Sequence, residues 1–139
     1  MISRVLVPMD GSEMAERALE YALEAHPDAE TTVLCVVGEP SAMMGQAVGI
    51  ALSDDVKKAA EERADDVLEA AREIAVEHGR EIATEVAVGH PSRAILNRAE
   101  AFDTVVIGTH SGSLSDRLLV GNVAETIFRR SPVPVTVVR

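Results

Sequence analysis

The sequence predicts a single α/β domain, a doubly wound five-stranded parallel sheet with helices on both faces. Three observations predict it. Short apolar, β-branched runs alternate with segments of helical periodicity along the whole chain. Several of those runs are apolar at nearly every position, as strands covered on both faces are in a parallel sheet. Each junction carries glycine, proline or a helix-capping residue. Strands linked through helices in this way run parallel, with right-handed crossovers. At 139 residues the chain suits one core, which buries roughly two thirds of the unfolded surface.

The first strand, Ile2 to Met9, ends in Pro8-Met9-Asp10-Gly11-Ser12. Asp10 or Ser12 can cap the helix that follows, whose apolar positions Ala15, Ala18, Leu19 and Ala22 recur at helical spacing. His26-Pro27-Asp28 ends that helix. Thr31 to Val37 is the second strand. The connection from Gly38 to Ile50 is glycine-punctuated and unusually apolar, so it is expected to cover something, either its own core or partner as a flap, or a ligand as a lid.

A long helix from about Ser53 to His78 carries Val56, Ala60, Ala64, Val67, Ala71 and Ile74 on one stripe, and Gly79 stops it. Glu81 to Val88 alternates a good apolar side with a poorer one, Ala83, Glu85 and Ala87, which marks an edge strand. Gly89-His90-Pro91-Ser92 turns into a short helix containing Ala94, Ile95, Ala99 and Phe102, and Thr104 to Ile107 is the fourth strand. The last helix, about Asn122 to Arg130, is expected to turn Val123, Ala124, Ile127 and Phe128 inward. Pro132 and Pro134 precede or open the final strand, Val133 to Val138, and favour an edge position for it.

Composition narrows the function. Aromatic residues make up 2% of the chain, so Val, Ile, Leu and Ala must build the core. A net charge of −10 repels phosphate backbones at long range and argues against nucleic-acid binding. Only Lys57 and Lys58 are lysines, and so acidic, lysine-poor a surface suits a halophile's cytoplasm, where salt screens self-repulsion. Cys35 is the single cysteine, which precludes an intrachain disulfide and fits a reducing compartment; inside Val33 to Val37 it is expected to act as a small buried hydrophobe. There is no signal-peptide pattern and no run long enough to span a bilayer, so a soluble cytoplasmic protein is expected.

The chemistry gathers after the fourth strand. Gly108 ends an apolar run, a small polar loop follows, and Gly121 opens a helix. The first N–H groups of a helix lack partners and carry the positive end of its dipole, so phosphate can be held there without any lysine. Gly108, two residues, Ser111, nine residues, Gly121 and Asn122 together resemble the nucleotide-binding loop of universal stress proteins, usually Gly, two residues, Gly, nine residues, Gly, Ser or Thr. Ser111 stands where the second glycine is usual, with Gly112 beside it, and Asn122 replaces the hydroxyl residue.

The resemblance spans nearly the whole chain. Val5-Leu6-Val7-Pro8-Met9-Asp10-Gly11-Ser12 is similar to the family's first strand with its Pro-x-Asp-x-Ser ending, Val33 to Val37 to its second, and Gly89-His90-Pro91 to the Gly-x-Pro before its third helix. It implies strand order 3-2-1-4-5, and with that order the switch point lies between the first and fourth strands, where ligands sit in such sheets. In nucleotide-binding members the residues matching Pro8, Asp10 and Val36 surround adenosine, and those matching Gly108, Ser111, Gly121, Asn122 and Val123 surround the phosphates. The resemblance therefore implies binding of ATP or another adenine nucleotide, with magnesium arriving, if at all, with the nucleotide. It also implies a homodimer joined through the last strand.

Plainer readings stand beside these. Asp10 can simply cap a helix, and Asn122 with Glu125 outlines a capping box. Arg117 reads as a solvated loop charge and His110 as an unsupported base, since no residue is spaced to orient it. No HxH or HExxH spacing exists, so no dedicated metal site is expected. The chain lacks a P-loop, the acidic cluster and lysine of phosphoacceptor receivers, and the Ser-Gly-Gly-x-Asp-Ser of ATP pyrophosphatases. A regulatory binding module, at most a slow ATP hydrolase with no assigned catalytic residue, is the reading left. Its alternative is a dimeric stress-response protein without nucleotide, acting through protein contacts, which the departures at Ser111 and Asn122 favour.

Overall fold

The computed structural model describes residues 1–38, 53–109 and 123–139. In chain order these form β1 (Arg4–Met9), α1 (Glu13–Ala25), β2 (Glu30–Val37), α2 (Ser53–Glu77), β3 (Ala83–Val88), α3 (Pro91–Ala99), β4 (Thr104–Gly108), α4 (123–130) and β5 (Val135–Val138). All five strands are parallel, in the order β3-β2-β1-β4-β5. β3 and β5 are the edges, as the poorer face of one and the prolines before the other imply.

Alternation along the strands divides the core into two layers. Val5, Val7 and Met9 of β1, Val33 and Cys35 of β2 and Val106 of β4 meet α1 and α2. Leu6, Leu34, Val105 and Ile107 point the other way, onto Ile95 and Ala99 of α3, Phe102 and Ile127 of α4. Continuous apolar runs in the sequence are thus strands with a helix layer on each side.

The helices bury the expected stripes and a little more. Leu23 joins Ala15, Ala18, Leu19 and Ala22 on α1, and Leu68 and Ala75 join Ala64, Val67 and Ala71 on α2, because a helix lying on a sheet buries a stripe wider than one row. Val56 and Ala60 fall outside the described side chains, and beyond Gly38 the apolar connection to Ile50 lies outside the described residues.

Phe128 is a correction. The sequence pattern places it inward, yet its ring is 65% exposed. Val123 and Ile127, four residues apart, form the row that meets the sheet, and Phe128 lies about 100° further round the last turn of α4.

At the amino ends of the strands, Asp103 ties β1 to β4. Its Oδ2 accepts from the Ser3 and Arg4 amides at 2.8 and 2.9 Å. Those two bonds hold its carboxyl below the usual carboxylate range, the Ser3 bond first. The Arg80 guanidinium donates to the carbonyls of Leu23 and Ala29, supplying partners where α1 ends.

Candidate nucleotide cleft between β1 and β4

At their carboxyl ends β1 and β4 stop pairing early. β1 pairs with β2 as far as Met9↔Cys35 and β4 with β5 as far as Gly108↔Val138, but β1 and β4 pair only at Val5↔Thr104 and Leu6↔Val105. A cleft opens over the unpaired tips. Pro8, Met9 and Asp10 line it from β1 and its end, Ile107 and Gly108 from β4, and Leu34 and Val36 from β2. Ser12 and Ala15 contribute from the start of α1, Pro91 and Ile95 from α3, and Val123 from α4. Its sheltered volume is about 150 Å³, and the cleft is open to solvent at its mouth, so it receives part of a small molecule and leaves the rest outside.

The loop after β1 is fixed by its own polar groups. Asp10 Oδ1 accepts from the Ser12 amide at 3.0 Å, an Asx turn, and Ser12 Oγ accepts from the Ala15 amide at 3.2 Å as the N-cap of α1. Ser12, not Asp10, is therefore the cap, and among the described residues Asp10 Oδ2 has no hydrogen-bond partner. Gly11 sits between them at φ +86°, a conformation that glycine adopts at least cost.

Gly108 is required for a different reason. A Cβ built on it would lie 2.6 Å from the carbonyl oxygen of Met14 and 3.1 Å from the amide nitrogen of Ala15. The end of β4 thus passes against the backbone of the first turn of α1, and only a bare Cα fits.

Electrostatically the cleft is plain. Its described lining is mostly apolar, and Asp10 is the one charged side chain in it. Cys35, buried in the core beneath α1 and α2 and not part of the lining, has its thiol pushed up by burial, with Arg63 opposing and Asp10 adding to the shift, so it stays neutral. Among the described residues no group of three His, Cys, Asp or Glu side chains is arranged to hold a metal ion.

A parallel sheet of this order, with a small-molecule cleft at the switch point and a Pro-x-Asp-x-Ser turn at its rim, agrees with a family comparison. The family model of universal stress proteins matches residues 1–139. The chain belongs to the universal stress protein family. Universal stress protein YxiE of Bacillus subtilis is 30% identical over 148 residues, covering all of both chains. Universal stress protein UspA from Lactobacillus plantarum superposes with a TM-score of 0.82 at 24% identity, covering 99% of this chain and 98% of that one. A universal stress protein crystallised in complex with cAMP superposes with a TM-score of 0.72 at 26% identity, covering 99% and 97%.

In this universal stress protein the structure brings Pro8, Asp10, Val36, Gly108 and Val123 to one cleft, although they come from four separate parts of the sequence. Ser111, Gly112, Gly121 and Asn122, with His110 and Arg117, lie outside the described residues. Sequence reasoning missed the α3 wall. Periodicity marks Ile95 only as a core position, but it has Pro91 one turn earlier on the same helix, and a proline opening a helix after Gly89-His90 was the available signal.

Proposed function

We propose that this universal stress protein binds an adenine nucleotide, with the base and ribose in the β1/β4 cleft. The observation that carries the reading is a predominantly apolar cleft at the switch point, with one partly free carboxylate at its rim and no described cation. An uncharged aromatic base suits the apolar wall of Leu34, Val36 and Ile95, and Asp10 Oδ2 can accept from a sugar hydroxyl or a base amine. With no described cation in the lining, the phosphates need main-chain amides, which the sequence pattern Gly121-Asn122 ahead of α4 is expected to supply. The related structure in complex with cAMP supports the ligand class.

On this reading the nucleotide is ATP, magnesium accompanies its phosphates, and the protein acts as a cytoplasmic regulatory module. Asp10 is held in a turn and Ser12 Oγ is committed to a cap, so neither is given a catalytic role. Two copies join through the edge strand β5, where Val137 is exposed. A second reading, a dimer acting through protein contacts without nucleotide, is favoured by Ser111 and Asn122 standing where the family usually has glycine and a hydroxyl residue.

Equilibrium binding of a fluorescent ATP analogue with magnesium separates the two. The first reading expects saturable binding that Gly121→Val abolishes without altering the far-UV spectrum. Lack of saturation at millimolar nucleotide decides for the second, and binding that survives Gly121→Val moves the phosphates elsewhere.

A further inference from the structure

We propose that Pro8 sets the aperture of the cleft, by withholding the backbone donor with which β1 would go on pairing with β4. The direction of its nitrogen follows from the hydrogen bonds at the start of the strand. The carbonyl of Ser3 accepts from the Glu30 amide, toward β2, at 2.8 Å, and the carbonyl of Arg4 accepts from the Asp103 amide, toward β4, at 2.9 Å. Successive residues of a strand present their polar groups to opposite neighbours. Arg4, Leu6 and Pro8 therefore face β4, while Val5, Val7 and Met9 face β2.

Leu6 is the last of the β4-facing residues to be paired across that seam, and the next one has no N–H to give. Proline is ordinarily kept out of central strands because it deletes a ladder bond. Here it is buried in the middle strand of five, and on its other side β1 pairs with β2 without a break through Pro8↔Leu34 to Met9↔Cys35. The missing donor falls only on the seam where the cleft opens. Pro8 is thus a positioning residue, acting through the separation of the two strand tips as well as lining the space between them.

This rests on the reading of the cleft as a nucleotide site, and the test keeps the two apart. Pro8→Ala restores the donor, and three quantities are read: hydrogen exchange of the amide gained at position 8, affinity for the fluorescent ATP analogue, and stability to urea. The expected result is that this new amide exchanges at least roughly 100-fold slower than an unstructured one. Nucleotide affinity falls at least roughly tenfold, while stability is kept or raised, which a merely structural role would not produce. A new amide exchanging like an unstructured one overturns the proposal whatever the affinity does, since a loss of binding would then come from the missing ring. A protected amide with unchanged affinity overturns it as well. If the wild-type protein binds no nucleotide, the proposed function falls, and exchange of the amide at position 8 in the variant alone decides whether Pro8 ends the ladder. Pro8→Val, which restores the donor with a strand-favouring side chain, serves if the alanine variant does not fold.

Discussion

Replacing Gly108 with alanine tests whether this glycine is there for the fold or for a ligand. The added methyl would stand 2.6 Å from the carbonyl oxygen and 2.7 Å from the carbonyl carbon of Met14, both backbone atoms that no rotamer change can move aside. Ordinary contact begins near 3.4 Å, so β4 or the first turn of α1 must shift by about 0.8 Å. Overpacking of this kind costs about 3 kcal/mol. Alanine offsets about 0.4–1 kcal/mol of that by restricting the unfolded chain. The net loss is about 2 kcal/mol, which lowers Tm by about 4–8 °C for a domain of this size.

Urea unfolding followed by far-UV circular dichroism measures it, with Gly38→Ala as the control. Among the described residues nothing lies within 4 Å of a Cβ at Gly38, so that variant is expected to stay within about 0.5 kcal/mol of wild type. Gly108→Ala as stable as Gly38→Ala would refute the close approach of β4 to α1. It would leave phosphate binding as the remaining reason for the glycine.

Other consequences follow from the same structure. Thr31 Oγ1 is buried and has no hydrogen-bond partner among the described residues, so Thr31→Val, similar in shape, is expected to raise stability by about 1 kcal/mol in urea unfolding; a loss would mean that the hydroxyl has a partner. Asp103, held below its ordinary range by the Ser3 and Arg4 amides, contributes stability that is present above its unfolded pKa and lost as pH falls through the lower folded value. Asp103→Ala is therefore expected to narrow the gap between stability at pH 7 and at pH 3 in thermal melts, and an unchanged gap contradicts that bond pair. His78 is shifted the opposite way, raised first by its bond to the Ile74 carbonyl and then by Glu24, with burial opposing. Its contribution is complete below the ordinary imidazole value and lost as pH rises through the folded one, so His78→Gln should flatten the neutral limb of the stability profile. At a net charge of −10, Tm is expected to rise between low and molar KCl, and a flat response removes the expectation of a high-salt milieu.

The order of elements was legible because the three inner strands are buried on both faces and the helices carry regular stripes, each announced locally by periodicity and capping residues. Edge positions could be read too, from the weak face of 83–88 and from Pro132 and Pro134. Features that depend on distant partners were not. Nothing near Gly108 in the sequence shows that Met14 will press on it, and nothing near Ile95 shows that it will face a cleft as well as a core. Phe128 misled for a related reason, since hydrophobicity alone does not tell which side of a short final turn reaches the sheet. Pro8 opens the turn signal that closes the first run in the sequence, whereas the strand continues through it, because the bond it forfeits is on the open seam and the β2 side keeps its ladder.

A titration with AMP, followed by the methyl resonances of Val36, Ile95 and Ile107, tests the central claim most directly. These methyls line the cleft from β2, α3 and β4, while Val76 on the outer face of α2 is exposed and lines no part of it. Nucleotide in the β1/β4 cleft predicts saturable shifts at the first three and none at Val76. Shifts that fail to saturate at millimolar AMP, or that gather around Val76 instead, would contradict it.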